Sequence, residues 1–463
     1  MKQWADKFVL VLGLGETGLS MLRWLGAQGV RLRVADSRSE PPGLAEAGQH
    51  VAAGQIFCGA FGDALFDGID LVAISPGVPL SDPFVQRAAA RGIPVVGDIE
   101  LFAQQLTTND LQLTTKVIAI TGSNGKTTVT SMVEHLCKAA GKDAVAAGNI
   151  SPAVLDVVLT RGANQPDIWV LELSSFQLET TATLDADAAT VLNISEDHLD
   201  RYANIDEYAA AKARIFQGSG VQVLNRDDAR SMGMALPGRE VVTFGLDVSS
   251  HEWDFGVERE RGDVWLMQGD QRLLRVSELN IAGMHNVANA LAALALCRAI
   301  DLPMPALLEA LRSFRGLPHR VERVAEIDGV IYYDDSKGTN VGATVAALEG
   351  LGRKVVLIAG GEGKGQDFAP LKQAVMRHAR AVVLIGRDAP LIAAALEGCG
   401  VPLLHRKNMG DAVRQAAQLA QAGDAVLLSP ACASFDMFRS YAHRAEIFVE
   451  AVHELIKEAA WSR

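Results

Sequence analysis

Lys116-Val117-Ile118-Ala119-Ile120-Thr121-Gly122-Ser123-Asn124-Gly125-Lys126-Thr127-Thr128 decides how the rest of the chain is read. Val117–Ile120 is short, apolar and largely β-branched, as a strand inside a parallel sheet requires. Gly122 and Gly125 allow backbone conformations that turn several N–H groups into one concave nest. From Lys126 onward the apolar period becomes helical, with Met132, Val133, Leu136 and Ala140 on one face. That helix aims its positive end at the nest. Nest, helix terminus and the Lys126 ammonium together form an anion site of the phosphate-loop kind. Gly122, Ser123, Asn124, Gly125, Lys126, Thr127 and Thr128 are its candidate residues, and Thr127 supplies a hydroxyl where such loops hold Mg²⁺. One position departs from the usual pattern, with Ile120 at the first glycine. The strand before the loop and the helix after it carry the assignment.

The chain has 463 residues, which suggests about three domains. Its apolar content of 49% is enough for packed cores, and its net charge of −12 argues against a general nucleic-acid or membrane-surface binder. A local cluster of Arg and Lys still suits a small anionic substrate. Cys58, Cys137, Cys297, Cys399 and Cys432 are scattered and form no C-x-x-C pair. This usage suits a reducing cytoplasm and no zinc site. Phe8–Leu12 is too short for a signal peptide and runs straight into a glycine loop. The apolar run Ala288–Cys297 is too short to span a bilayer and contains Asn289, so a buried helix is expected.

Residues 1–112 alternate strand and helix. Phe8–Leu12 reads as a strand, Gly13-Leu14-Gly15-Glu16-Thr17-Gly18 as a loop, Leu19–Ala27 as a helix and Arg31–Ala35 as the next strand, ending at Asp36-Ser37-Arg38. This is the G-x-G-x-x-G dinucleotide fingerprint with an acidic residue about twenty positions on. Any doubly wound sheet holding a phosphate at its first helix looks the same, and the Arg38 cation suits another nucleotide. Leu71–Ile74 and Ile93–Val96 read as further strands, with Ser75-Pro76-Gly77 at the carboxyl end of the first. Asn109 to Lys116 is polar and Thr-rich, and a domain boundary is placed there.

Residues 113–315 hold the phosphate loop and further candidates. Ile168–Leu173 is a buried strand with Glu172 near its end. A charge there is costly unless paired or metal-bound, and a metal-linked role is favoured. Ala188–Ile194 is a strand followed by Ser195-Glu196-Asp197-His198-Leu199-Asp200-Arg201-Tyr202. His198, at a strand's carboxyl end in the phosphate loop's sheet, is a candidate cation or substrate ligand. Glu196 and Asp197 also suit helix capping. Ile205–Phe216 reads as a helix whose Lys212, from residue type alone, belongs on a solvated surface. Residues 218–280 are strand-rich and irregular. Gly283 opens an alanine-rich helix in which Asn286 and Asn289 share one face.

Gly316-Leu317-Pro318-His319-Arg320 reads as a linker, and Arg320 can reach a phosphate from the side opposite the loop. Residues 316–463 return to strand–helix alternation. Val330–Asp334, Lys354–Ala359, Ala381–Ile385 and Ala425–Leu428 read as strands. Polar clusters follow three of them: Asp334–Asn340, Gly360–Gly365 and Ser429–Ser434. Ligands bind at carboxyl ends in such sheets, so one edge should collect Lys337, Thr339, Lys364 and Ser434.

Together the motifs resemble the Mur ligases of peptidoglycan synthesis, over nearly the whole length. The resemblance rests on Thr121-Gly-Ser-Asn-Gly-Lys-Thr127, Leu171-Glu-Leu-Ser-Ser-Phe-Gln-Leu178, Glu196-Asp-His-Leu-Asp-Arg-Tyr202, His285-Asn286 with Asn289, Leu317-Pro-His-Arg320, Asp334-Asp-Ser-Lys337 and Ser429-Pro-Ala-Cys-Ala-Ser434. The first motif is shared with folylpolyglutamate ligases; Asp-Ser-Lys and Ser-Pro-Ala-Cys-Ala-Ser point to the branch that adds D-glutamate. The resemblance implies an α/β protein of three domains: a Rossmann-like UDP-substrate domain (1–112), a P-loop ATPase-like central domain (113–315) and a Rossmann-like amino-acid domain (316–463).

It further implies an ATP-dependent ligase that joins D-glutamate to UDP-N-acetylmuramoyl-L-alanine through an acyl phosphate. Gly15, Glu16, Thr17 and Ser75, with Asn149 and Ser174, would hold the UDP-sugar, with Ser37 and Arg38 near the uracil. Thr127 and Glu172 would bind one Mg²⁺, and His198 and Lys212 a second, with Lys212 carrying a carbamate. Asn289, Arg320, Asp335 and Lys337 would serve the ATP side. Lys337, Thr339, Lys364, Ser434 and Tyr441 would hold the glutamate carboxylates. A cytoplasmic monomer without nucleic-acid partner or membrane insertion is expected. Three alternatives stand beside this reading: another Mur or folylpolyglutamate ligase, an NAD dehydrogenase suggested by the first loop, and a non-catalytic ATP-binding regulator.

Overall fold

The computed structural model describes residue 4 and residues 6–108, 115–198, 201–249 and 251–461. Most of the polar boundary patch at 109–114, and Leu199 and Asp200 of the histidine motif, lie outside the described residues. The protein is mixed α/β, built on three separate sheets.

The first sheet is parallel throughout, in the spatial order Ile56–Cys58, Arg31–Asp36, Phe8–Leu12, Leu71–Ile74, Val95–Val96. Its strand order reverses beside Phe8–Leu12, which places the Gly13–Gly18 loop at the switch point where ligands bind. The helix Glu16–Ala27 leaves directly from that loop.

The second sheet has nine strands: Gln271–Arg275, Asp263–Gln268, Phe255–Glu260, Val241–Phe244, Val221–Asn225, Ala188–Val191, Lys116–Thr121, Ile168–Glu172 and Ala144–Gly148. The first three form an antiparallel edge and the others are parallel. Pairing of Ile120 with Glu172 and of Thr121 with Val191 brings three strand ends level with the phosphate loop. Met284–Ala299 is the buried helix expected, with Leu291 to Cys297 fully enclosed. Its alanines let it lie close against Lys126–Ala139, so Asn289 reaches the loop.

The third sheet runs Glu322–Ile327, Val330–Asp334, Ala425–Leu428, Val355–Gly360, Ala379–Ile385, Leu403–His405, with only the first pair antiparallel. Asp334 and Ile358 both pair with Leu428, so the three polar clusters leave neighbouring strands side by side.

Several expected bounds change: the first helix begins at Glu16 rather than Leu19, the strand at 93–96 is Val95–Val96, and the strand from Ala188 ends at Val191. The helix from Ile205 ends at Ala213 and closes in a tight turn, Arg214–Phe216. The edge strands Ile56–Cys58 and Leu403–His405 are three residues each, too short for a recognisable alternation. The first two sheets are tied by Arg23 to Asp156 (2.6 and 2.8 Å) and by Gln177 to Asp98 (3.1 Å). Among the described residues no helix is long and apolar enough to cross a membrane.

Candidate active site

Both loop glycines use their freedom. Gly122 has φ 151° and Gly125 φ 84°, and a Cβ on Gly125 would meet Asn289 Oδ1 at 2.6 Å. The neighbouring strand end braces the loop: Asn124 N–H donates to Asn193 Oδ1 (2.8 Å), and Ser123 N–H to the Asn193 carbonyl (2.9 Å). Lys126 curls over its own loop and donates to the Gly122 and Ser123 carbonyls at 2.8 and 3.0 Å. Burial lowers its pKa, opposed by the Glu172 and Asp197 carboxylates. Those carbonyl bonds hold the ammonium at the rim of the nest until an anion offers a stronger partner.

Beside the loop lies a buried charged cluster. Glu172 is 2% exposed; its Oε1 accepts from Asn149 Nδ2 at 2.8 Å, while its Oε2 is buried without a hydrogen-bond partner. An orphaned carboxylate oxygen in such a place calls for a cation. Lys212 corrects the residue-type reading: it is 1% exposed, not on a solvated face. Its helix packs that side inward, with Nζ 3.3 Å from Thr121 Oγ1 and 4.6 Å from the centre of the Tyr208 ring. Burial, and then the like charge of Lys126, push its pKa well below the ordinary lysine value. An amine so placed is more readily neutral, hence nucleophilic. His198 has a left-handed backbone (φ 57°), and its ring packs edge-on to Phe176. Its Nε2 lies 3.8 Å from Asp197 Oδ2.

The C-terminal part of the chain meets this cluster directly. Arg320 Nη2 donates to Thr127 Oγ1 at 2.8 Å, across 193 positions of sequence. Asn340 Nδ2 donates to Asn124 Oδ1 at 3.1 Å. Asn289, Arg320, Asp335 and Lys337 line one cavity with Asn124, Gly125 and Thr128. Asn289 donates to Asn286 Oδ1 (3.1 Å), so the two asparagines do share a face. Asp335 accepts from Ser429 Oγ at 2.7 Å, and burial pushes its carboxyl up to about 7. His319 and Val321, on either side of Arg320, both have positive φ (62° and 51°), an unusual and strained conformation for a β-branched residue.

A second cleft, of about 520 Å³, lies between the first two sheets. It collects Gly15, Glu16, Thr17, Ser37, Arg38, Ser75 and Asn149. Ser174 does not line it; its hydroxyl caps the helix Ser175–Glu179. Asp36, at the fingerprint's ribose position, is already engaged by Arg38 and by the Leu14 N–H (2.8 Å). The Arg38 guanidinium lowers its carboxyl to about 2.

At the edge of the third sheet, Lys337 Nζ stands 3.8 Å from the centre of the Tyr441 ring. Ser434 is 2% exposed, whereas Lys364 is exposed on a left-handed backbone (φ 52°). Thr339 is half-buried, and no contact joins it to Lys364 or Ser434.

Family models match in chain order: a MurD-like N-terminal domain at residues 7–97, the Mur ligase middle domain at 120–297 and the Mur ligase glutamate ligase domain at 319–432. Curated relatives are similar from end to end. The UDP-N-acetylmuramoylalanine--D-glutamate ligase of Methylobacillus flagellatus is 60% identical over 458 residues, covering 99% of both chains. Its namesake in Nitrosospira multiformis is 59% identical, covering 96% of this chain and 95% of its own.

The chain belongs to the Mur ligase family.

Solved Mur ligases share the fold. The UDP-N-acetylmuramate-alanine ligase MurC of Thermotoga maritima superposes with a TM-score of 0.60 at 21% identity, covering 97% of this chain and 99% of its own. MurF of Acinetobacter baumannii gives 0.59 at 18%, covering 97% and 92%. Mur ligases depend on ATP.

Sequence reading missed several residues that shape this Mur ligase site. Tyr208 is buried between Lys212, the His198 ring and Ser123 Oγ (3.4 Å). Gln366 joins three loops, accepting from the Val341 N–H at 2.9 Å and donating to the Ala431 and Gly363 carbonyls. Arg444 is fully buried behind the Asp334–Lys337 motif. Each lies on an ordinary helix or loop, with no motif letters around it.

Proposed function

We propose that this Mur ligase joins D-glutamate to the alanyl carboxylate of UDP-N-acetylmuramoyl-L-alanine at the expense of ATP. The observation that carries the reading is end-to-end identity near 60% to relatives bearing that name. The substrates pose one physical problem. Two anions must meet, and like unit charges 4 Å apart repel by about 1 kcal/mol in water and several at lower effective dielectric. The site answers it with the loop N–H groups, Lys126 and Arg320.

The UDP-sugar occupies the cleft lined by Gly15, Glu16, Thr17, Ser37, Arg38, Ser75 and Asn149, and Ser174 joins them from outside that lining. Its alanyl carboxylate points toward Lys126. Thr127 and Glu172 would hold one Mg²⁺, and His198 and a carbamylated Lys212 a second; such ions would supply neutralisation of phosphate charge. The unpartnered Glu172 Oε2 and the buried, partner-poor Lys212 amine fit those roles. Asn289, Arg320, Asp335 and Lys337 fix the nucleotide. An alanyl carboxylate oxygen bonds to the γ-phosphorus as the bond to the β,γ-bridging oxygen breaks and ADP forms. The D-glutamate amine, held through Lys337, Thr339, Lys364, Ser434 and Tyr441, then attacks the acyl carbon. The C–N bond forms, the C–O bond to phosphate breaks, and the amine gives up a proton. The reactive acyl phosphate needs shelter from water, and the Asn340–Asn124 and Arg320–Thr127 contacts fit a C-terminal domain closed over the centre.

The same proposal divides the chain at 1–112, 113–315 and 316–463 and places a monomer in the cytoplasm. The test is coupled ADP release with UDP-N-acetylmuramoyl-L-alanine and a panel of D-glutamate, L-glutamate, L-alanine and diamino acids. Turnover should require D-glutamate. Preference for a diamino acid, or NADH binding without ADP release, would overturn it.

A further inference from the structure

Arg444 lies on the first turn of the helix Tyr441–Trp461 and has no exposed surface. A buried guanidinium is normally matched by a carboxylate. Here no carboxylate among the described residues pairs with it. Its bonds run to two loops instead. Nε donates to Ser336 Oγ at 2.9 Å and Nη2 to the Ser336 carbonyl at 2.8 Å, while Nη1 donates to the Cys432 carbonyl at 3.0 Å. Ser336 Oγ in turn donates to the Tyr441 carbonyl at 2.8 Å. One side chain thereby fixes the positions of three segments: the loop after Val330–Asp334, the loop after Ala425–Leu428 and the start of the last helix.

Those segments carry Lys337, Ser434 and Tyr441. Each is a near neighbour in sequence of an Arg444 partner or of Arg444 itself, and Lys337 closes the ring by its contact with Tyr441. Burial lowers the Arg444 pKa to about 10, so it keeps its charge at neutral pH. The Cys432 thiol, pushed up to about 12, stays neutral and offers no compensation. The Asp436, Asp334 and Asp335 carboxylates favour its charge without pairing with it directly, so the acceptor edge is backed by a fixed guanidinium.

We infer that Arg444 is a positioning residue for the amino-acid acceptor: it sets Lys337, Ser434 and Tyr441 in register for that ligand without touching it. The inference rests on the acceptor site proposed above, and the experiment separates the two. Wild-type turnover that does not depend on D-glutamate would sink the acceptor assignment itself. With that dependence established, Arg444→Met and Arg444→Lys are compared by initial rates and thermal melting.

Losing a buried, hydrogen-bonded charge should raise the D-glutamate KM about thirtyfold or more in Arg444→Met. KM for the UDP-substrate should stay within about twofold, and KM for ATP should rise less than that for D-glutamate, since Lys337 is one of four residues on the nucleotide. Single-turnover ADP formation without amino acid should also persist. Arg444→Lys keeps the charge but reaches only one loop, so its D-glutamate KM should fall between wild type and Arg444→Met. An unchanged D-glutamate KM overturns the inference. So does a parallel rise of all three KM values with the loss of melting temperature, because that marks general damage. If Arg444→Met fails to fold, Ser336→Ala removes the Nε acceptor and the hydroxyl's bond to the Tyr441 carbonyl while keeping the guanidinium. Its D-glutamate KM should rise several-fold, and no change there is equally fatal.

Discussion

Replacing Lys212 with methionine should raise stability and abolish turnover in the same variant. The lysine is 1% exposed; its polar neighbours are one hydroxyl at 3.3 Å and the Tyr208 ring at 4.6 Å. Keeping that amine buried costs on the order of several kcal/mol, because burial drives its pKa well below the ordinary lysine value. Methionine fills a similar volume without the charge. It forfeits about 1 kcal/mol of hydrogen bond and about 1 kcal/mol of ring contact. The net gain is about 2–3 kcal/mol at pH 7, a rise of several degrees in melting temperature.

The sign with pH follows from proton counts. The folded-state pKa lies below the unfolded one, so between them the unfolded chain binds more protons and wild-type stability rises with pH. The advantage of Lys212→Met should be widest below the folded-state pKa and shrink as pH rises toward the ordinary lysine value of 10.5. Melting is followed in CO₂-depleted buffer, so that carbamate on the wild type does not mask the effect. Turnover, read as ADP release, should fall at least about a hundredfold if Lys212 has the cation-binding role proposed for it. A variant less stable at every pH that still turns over within about twofold of wild type would refute the reasoning.

Other substitutions probe the remaining parts of the site. Gly125→Ala adds a methyl that would meet Asn289 Oδ1 at 2.6 Å on a left-handed backbone. That backbone costs about 1–2 kcal/mol, so the ATP KM should rise about tenfold with UDP-substrate affinity intact by calorimetry; unaltered ATP affinity would contradict this. Glu172→Gln should move the Mg²⁺ midpoint for ADP release up by about tenfold or more, and a superimposable titration would remove Glu172 from the metal site. Asp36 is held near 2 chiefly by Arg38. Its stabilisation is complete above about 3.8 and is lost as pH falls through about 2. Arg38 is half exposed, so screening reduces the worth of the pair to about 1–2 kcal/mol. Asp36→Asn should cost that much at pH 7 and nothing near pH 2; equal melting at both would count against the pairing.

Phosphate loop, buried helix and strand ends were legible because each is a local pattern. Val117–Ile120 before a glycine loop can hardly be anything but a strand entering a nest. Apart from Asn289, the Ala288–Cys297 run is apolar on every side, which favours enclosure. Lys212 was not legible. Its helix has little apolar asymmetry, so residue type alone placed the amine in water, and only the resemblance pointed elsewhere. Arg444 and Gln366 carried no signal, because their partners are mostly backbone carbonyls, which every sequence supplies.

The sequence by itself determined the three strand–helix units, the anion nest and the chemistry its residues belong to, since those depend on periodicity, glycine placement and short motifs. The tertiary structure alone decided which distant residues share an environment: Arg320 on Thr127, the unpartnered oxygen of Glu172, and the burial of Lys212 and Arg444. The reason is physical. A side chain's charge state and reach depend on the water excluded around it and on partners far away in the chain, and both are set only when the sheets come together.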